Sequence, residues 1–177
     1  MSTLRTLEAL DREGLLTPDP RLAAAAEAMA IAVTPEMAAL IDRADLAHDP
    51  IARQFVPSAQ ETEIAPGELA DPIGDEARSP VKGIVHRYPD RVLLKPLHVC
   101  PVYCRFCFRR EMVGPEGLGT LSAKALDAAV AYIAGRPEIW EVILTGGDPL
   151  VLSPRRLQAI TERLAAIPHL KIVRFHS

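Results

Sequence analysis

Aromatic residues are scarce in this 177-residue chain, at 5% with a single Trp. The apolar content, 49% of residues, is carried largely by Ala and Leu. That is enough to bury one real core, so disorder is not the reading. No run of 18 or more apolar residues occurs, so nothing reads as a membrane span. The first ten residues, with Arg5 and Glu8, hold no apolar stretch of a secretory signal. The expected location is the cytoplasm. Cysteine is nearly absent: there are three, all between Cys100 and Cys107. An odd, tightly clustered set is no disulfide framework, and in a reducing compartment it points to metal binding or redox chemistry.

Basic residues are thin in the first 80 positions, where 6 Lys+Arg face 15 Asp+Glu for a net of −9. Between Val81 and Arg110 the balance reverses: 7 Lys+Arg stand against Asp90 alone, a net of +6, and the remainder is neutral. A local positive excess around the cysteines suggests anion binding there, with a solvated basic face as the plainer alternative. A pI near 6.0 gives no support to a nucleic-acid partner.

The first 70 residues read as a helical region and linker. Asp19-Pro20 and Thr34-Pro35 each pair a capping residue with a proline suited to the first helical position. The Ala-rich stretch Arg21–Val33 and the stretch Pro35–Ala47 are expected to be helices. The Pro-, Gly- and acid-rich residues 50–80 are expected to form an irregular connection. From residue 71 onward the pattern is α/β. Strands are expected at Arg91–Lys95 (closed by Pro96), Glu141–Thr145 and Lys171–Phe175. Helices are expected at Ala123–Ala134, capped by Ser122, and after Ser153-Pro154. This order implies βαβ units and a parallel sheet. Its sites belong at the carboxyl ends of the strands, where both the cysteine loop and Gly146-Gly147-Asp148-Pro149 fall.

The run Cys100-Pro-Val-Tyr-Cys104-Arg-Phe-Cys107 spaces three thiols by three residues and then two. Thiolates are the usual protein ligands of iron–sulfur clusters. A four-iron cluster gripped by three of them keeps one iron open for a small chelating molecule. The alternative is zinc with His98 as fourth ligand. Gly-Gly-Asp-Pro alone is an ordinary turn, but glycines also let backbone approach a ligand closely.

The Cys-x3-Cys-x2-Cys run with Phe106 before its last cysteine, and Leu144-Thr145-Gly146-Gly147-Asp148-Pro149 one βα unit later, resemble the radical S-adenosylmethionine superfamily. The resemblance implies a partial (β/α) barrel, a [4Fe-4S] cluster on Cys100, Cys104 and Cys107, and S-adenosyl-L-methionine chelating the open iron. Phe106, Gly146, Gly147 and Asp148 would meet that cofactor. Ser79-Pro80-Val81-Lys82-Gly83, His86-Arg87-Tyr88-Pro89-Asp90-Arg91, Cys107-Phe108-Arg109-Arg110 and Ile167-Pro168-His169-Leu170 further resemble the lysine 2,3-aminomutase family, over about residues 70–177.

That kinship implies pyridoxal 5′-phosphate, with Arg87, Tyr88, Arg91 and Arg105 around its phosphate and Arg109 on the carboxylate of the amino-acid substrate. Guanidinium forks suit both anions. Without the resemblance, Arg87 and Arg91 read as surface ion-pairing residues, Asp90 being the obvious partner. The implied reaction moves the α-amino group of L-lysine to the β-carbon, with an electron donor such as flavodoxin or ferredoxin. A homo-oligomer is left open, and neither a nucleic-acid nor a membrane partner is expected. The family's pyridoxal lysine matches none of Lys82, Lys95, Lys124 and Lys171. The chain therefore reads as the front of a barrel in a protein about twice as long. Two alternatives stay open: the related enzyme supplying β-lysine for elongation factor P, and a non-catalytic iron–sulfur or zinc-binding domain.

Overall fold

The computed structural model describes residues 2–110, 112–113 and 119–177. The chain divides into two compact units: Met1–Pro72 with Pro101–Gly114, and Ile73–Cys100 with Pro115–Ser177. The expected division fell near residue 70; the segment after Cys100 is grouped with the helices instead. No helix among the described residues is long and apolar enough to cross a membrane.

The first unit packs four short helices, α1 (Leu7–Arg12), α2 (Leu22–Ala28), α3 (Pro35–Leu40) and α4 (Ala52–Phe55). Its core includes Leu10, Leu15, Val33, Ile41 and Phe55, with Val102 and Cys104 packed against it. Thr34 caps α3 by accepting from the Met37 N–H, with Pro35 in the first turn, as the sequence implied. Both expected helices are nonetheless shorter than their composition suggested. Beyond Ala28 the chain extends so that Val33 bridges to Leu4 through paired backbone bonds of 2.8 and 3.0 Å. Beyond Leu40, Asp42 and Asp49 take the backbone N–H groups of Ala44, Ile51 and Ala52 on their carboxylates. Such local side-chain acceptors compete with helix continuation.

The second unit is a mixed α/β layer. Strands β1 (Ile84–Tyr88), β2 (Arg91–Leu97), β3 (Glu141–Gly146) and β4 (Ile172–Phe175) lie side by side in that order. β2, β3 and β4 are parallel, and β1 is antiparallel to β2 through the Pro89-Asp90 turn. β1 escaped the sequence pattern because only Ile84 and Val85 are buried in it. Pro96 was expected to close β2, but the strand runs on to Leu97; the proline is accommodated where the register toward β3 slips between Leu94 and Leu97. Proline gives no N–H to a ladder, so such an irregularity is where a strand tolerates it.

The register places Val92 beside Val142 and Leu94 beside Leu144 on one sheet face. These four form one core with Ile133 of α5 (Ala123–Ala134) and with Ile160 and Leu164 of α6 (Pro154–Ala165). Ser122 and Ser153 cap these helices by accepting from the Ala125 and Arg156 N–H groups.

The opposite sheet face carries charge. Glu141 is fully buried, with Arg174 Nε at 2.6 Å and an Arg91 guanidinium nitrogen at 3.4 Å. Arg91 also forks onto Asp90 at 2.7 and 3.0 Å, and the Trp140 indole N–H donates to the same carboxylate at 3.1 Å. The Arg91 bonds first, and the Trp140 bond after them, hold the Asp90 carboxyl at about 2, below its ordinary 3.8.

Two expectations follow. Arg91→Ala with Arg174→Ala leaves the Glu141 charge buried and uncompensated, so urea unfolding should show a loss of about 3–5 kcal/mol. Glu141→Leu removes the buried charge and leaves two arginines that water can reach, so it should stay within about 1.5 kcal/mol of the parent. Because the folded carboxyl of Asp90 titrates below its unfolded value, its contribution is present above about pH 4 and disappears as the pH falls toward 2. Thermal unfolding followed by the fluorescence of Trp140, the single tryptophan, should therefore weaken over that window, and Asp90→Asn should flatten the loss.

Candidate functional site

Strand β2 runs on through His98 and Val99 to Cys100, and the end of β3 stays bonded to it. The Gly147 N–H donates to the Leu97 carbonyl at 2.8 Å, and the Asp148 N–H to the Val99 carbonyl at 3.0 Å. Here the glycines are explained by the protein's own backbone. A Cβ on Gly146, whose φ is +105°, would lie 2.5 Å from the Leu97 oxygen, and one on Gly147 would collide with backbone atoms of Val99. The sequence suggested close approach to a ligand; the structure shows close approach to the strand that delivers Cys100. The Asp148 carboxylate accepts from the Leu150 N–H at 2.9 Å and caps the single turn Pro149–Val151. His98, weighed as a zinc ligand, is buried, and its backbone N–H donates to the Gly119 carbonyl.

Cys104 and Cys107 lie on one tight turn, closed by the Cys107 N–H donating to the Cys104 carbonyl at 3.0 Å. All three thiols are half-buried and free of disulfides. Burial, and then the neighbouring Cys107, push the Cys104 thiol above its ordinary range. A cation would relieve both effects, and its binding would release the proton. This soft, disulfide-free thiol set suits iron or an iron–sulfur cluster. Among the described residues no three His, Cys, Asp or Glu side chains are already gathered as a metal-binding group. Phe106, between the two thiols in sequence, is exposed, and the Arg109 guanidinium lies over the Phe108 ring at 4.5 Å.

Of the residues expected around a pyridoxal phosphate group, Arg87, Tyr88 and Arg91 belong to the second unit and Arg105 to the first. Arg87 bonds the Ile73 carbonyl and lies 3.5 Å from the Asp75 carboxylate, while the Tyr88 ring is exposed. Arg91 is held by Asp90 and Glu141, so the ion-pair reading of that residue is the one observed. Tyr88 and Arg91 face each other at the start of β2. That is roughly 20 Å, at the usual rise per residue, from the strand end that leads to Cys100.

Arg105 departs furthest from expectation. Its side chain is 4% exposed, and all five of its N–H donors have acceptors in the first unit. Nε and one terminal nitrogen bind the Glu61 carboxylate at 2.6–3.1 Å, and the terminal nitrogens also reach the carbonyls of Ala25, Met29 and Ala30. No donor remains for a phosphate in this arrangement. Glu61 was missed by sequence reasoning, although Ser58-Ala59-Gln60-Glu61 has the spacing of a capping box, which it forms.

No family model matches the chain. Curated proteins do. An L-lysine 2,3-aminomutase of Clostridium subterminale is 38% identical over 176 residues, covering 98% of this chain and 42% of the relative. One of Bacillus subtilis (strain 168) is 38% identical over 174 residues, 97% of this chain and 36% of the relative. One of Escherichia coli (strain K12) is 41% identical over 129 residues, 73% and 37%. The chain spans about two fifths of the length of these relatives. With a match that runs through the cysteine turn and the glycine loop, the chain is a relative of the lysine 2,3-aminomutases, aligned with the N-terminal part of their sequences.

Proposed function

We propose that this chain is the front part of a radical S-adenosylmethionine aminomutase acting on an amino acid, with L-lysine as the substrate. The observation that carries this reading is the pairing of two loops at one strand end. The exit of β2 into Cys100 is hydrogen-bonded to Gly147 and Asp148, in a chain alike to lysine 2,3-aminomutases over 98% of its length. On this reading the sheet is the first part of a (β/α) barrel, and its charged face, with Glu141 and Arg91, is the barrel's interior.

Cys100, Cys104 and Cys107 would hold a [4Fe-4S] cluster. When bound, the cluster and S-adenosylmethionine would supply an open iron, an electron and a hydrogen-abstracting radical. The remaining work belongs to the chain itself. Gly146 and Gly147 let the loop lie against the Leu97 and Val99 backbone, so it can lie close to whatever Cys100 binds. Asp148 fixes that loop by capping the turn after it. Phe106 offers an exposed apolar ring between two ligands, and Arg109, steadied over Phe108, offers a guanidinium to a substrate carboxylate. Pyridoxal phosphate is carried over from the family likeness. Of the residues named for its phosphate, Arg87, Tyr88 and Arg91 are candidates in the second unit, and Arg105 is a candidate in the first, where its donors are held by Glu61 and backbone carbonyls. An electron donor such as flavodoxin or ferredoxin is part of the same proposal.

Anaerobic reconstitution should yield a brown protein with about four irons per chain, and Cys104→Ala should abolish the bound iron. A colourless, saturated zinc protein, or a cluster whose spectrum ignores S-adenosylmethionine, would remove the radical reading. In the full-length enzyme, Arg109→Ala should weaken amino-acid binding about tenfold or more while leaving the iron content unchanged; unchanged affinity would take Arg109 out of the site.

A further inference from the structure

Within the first unit the turn between Cys104 and Cys107 is fastened more heavily than a surface metal loop requires. The Tyr103 N–H donates to the Ala32 carbonyl at 3.1 Å, and the Arg105 N–H to the Gln54 carbonyl at 2.7 Å. Tyr103 is 2% exposed, and Cys104 packs on the helical core. The Arg105 guanidinium then gathers four further partners: the Ala25, Met29 and Ala30 carbonyls at the end of α2, and Glu61. The Ala25 carbonyl also accepts the Met29 N–H at 3.2 Å, while the Met29 and Ala30 carbonyls lie just past the last helical residue, so the cation acts as a cap supplied from outside the helix. Glu61 is itself fixed, because one of its oxygens also accepts from the Ser58 N–H at 2.8 Å. A buried cation with every donor satisfied by fixed acceptors has one geometry available to it.

We infer that Arg105 is a positioning residue for the cysteine turn, locking Cys104 and Cys107 onto the N-terminal helices in a ligand-ready conformation through Glu61 and the end of α2. The inference rests on the cluster reading for its purpose, though not for its geometry. It assigns the N-terminal helices a part in shaping the metal site. A lysine at this position keeps the charge and can pair with Glu61, but cannot span five acceptors.

The test uses the apo protein, alkylated with iodoacetamide and read cysteine by cysteine by tandem mass spectrometry, alongside far-ultraviolet circular dichroism. Arg105→Lys should raise the alkylation rate of Cys104 about tenfold or more, the factor that accompanies loss of hydrogen bonds to a charged group. The rate at Cys100 and the helical signal should stay at parent values. Glu61→Gln, which leaves the arginine in place, should do the same to a smaller degree. An unchanged Cys104 rate in both folded variants overturns the inference. So does a rise at all three cysteines together with lost helicity in both, because Arg105 would then merely hold the fold. Reconstitution separates this result from the larger proposal. If the parent takes up no iron while the alkylation pattern holds, the cluster reading fails and the positioning role stands; if the parent takes up iron and Arg105→Lys takes up markedly less, both hold.

Discussion

The second unit depends on a place where two backbones come too close for any side chain. At the carboxyl end of the sheet, Gly146 and Gly147 lie against Leu97 and Val99 with no room for a Cβ. Two hydrogen bonds then bind the loop after β3 to the segment that becomes Cys100. A parallel pair of strands would ordinarily let its following loops diverge. Here they leave together, and that joint exit turns a βα unit into a candidate cofactor site. The hydrophobic layer beneath, with Val92, Leu94, Val142 and Leu144 against α5 and α6, holds the strands in the register that this contact needs.

The positive charges of residues 81–110 are the second organising feature, and the structure puts several of them to internal use. Arg105 is consumed by Glu61 and helix-end carbonyls, Arg91 by Asp90 and Glu141, and Arg87 by Asp75 and the Ile73 carbonyl. Several of the acids that balance them lie far away in sequence. A net charge counted along a window therefore overstated the field available to an external anion. Arg109 lies over the Phe108 ring beside the cysteine turn.

The sequence patterns that survived are those whose physics is local. Caps at Ser122, Ser153 and Thr34 depend on a side-chain oxygen three residues from the amide that it accepts from. The apolar spacing of α5 and α6 lies within a few turns. The three parallel strands were legible because their apolar runs, Val92–Leu94, Val142–Leu144 and Ile172–Val173, are short and bounded by turn signals. β1 was not, because a half-polar edge strand looks like loop until its neighbour is known. The early termination of α2 was hidden for a related reason: an Ala-rich stretch favours helix, and only the bridge to Leu4 and the demands of Arg105 draw it out of one.

What the residues decided by themselves is the chemistry on offer: three thiols at a spacing suited to a cluster, a glycine pair after a strand, and an α/β order that puts Cys100 and that pair at one end of a sheet. Each depends on side-chain type and short-range spacing, which the chain carries whether folded or not. Tertiary structure alone decided which charges are spent and which side chains meet. Arg105 is held by Glu61, 44 residues away, and Arg91 by Glu141, pairings that no short window of sequence displays. Long-range pairing of this kind is set by which groups burial leaves in need of a partner, and that need does not exist in the extended chain.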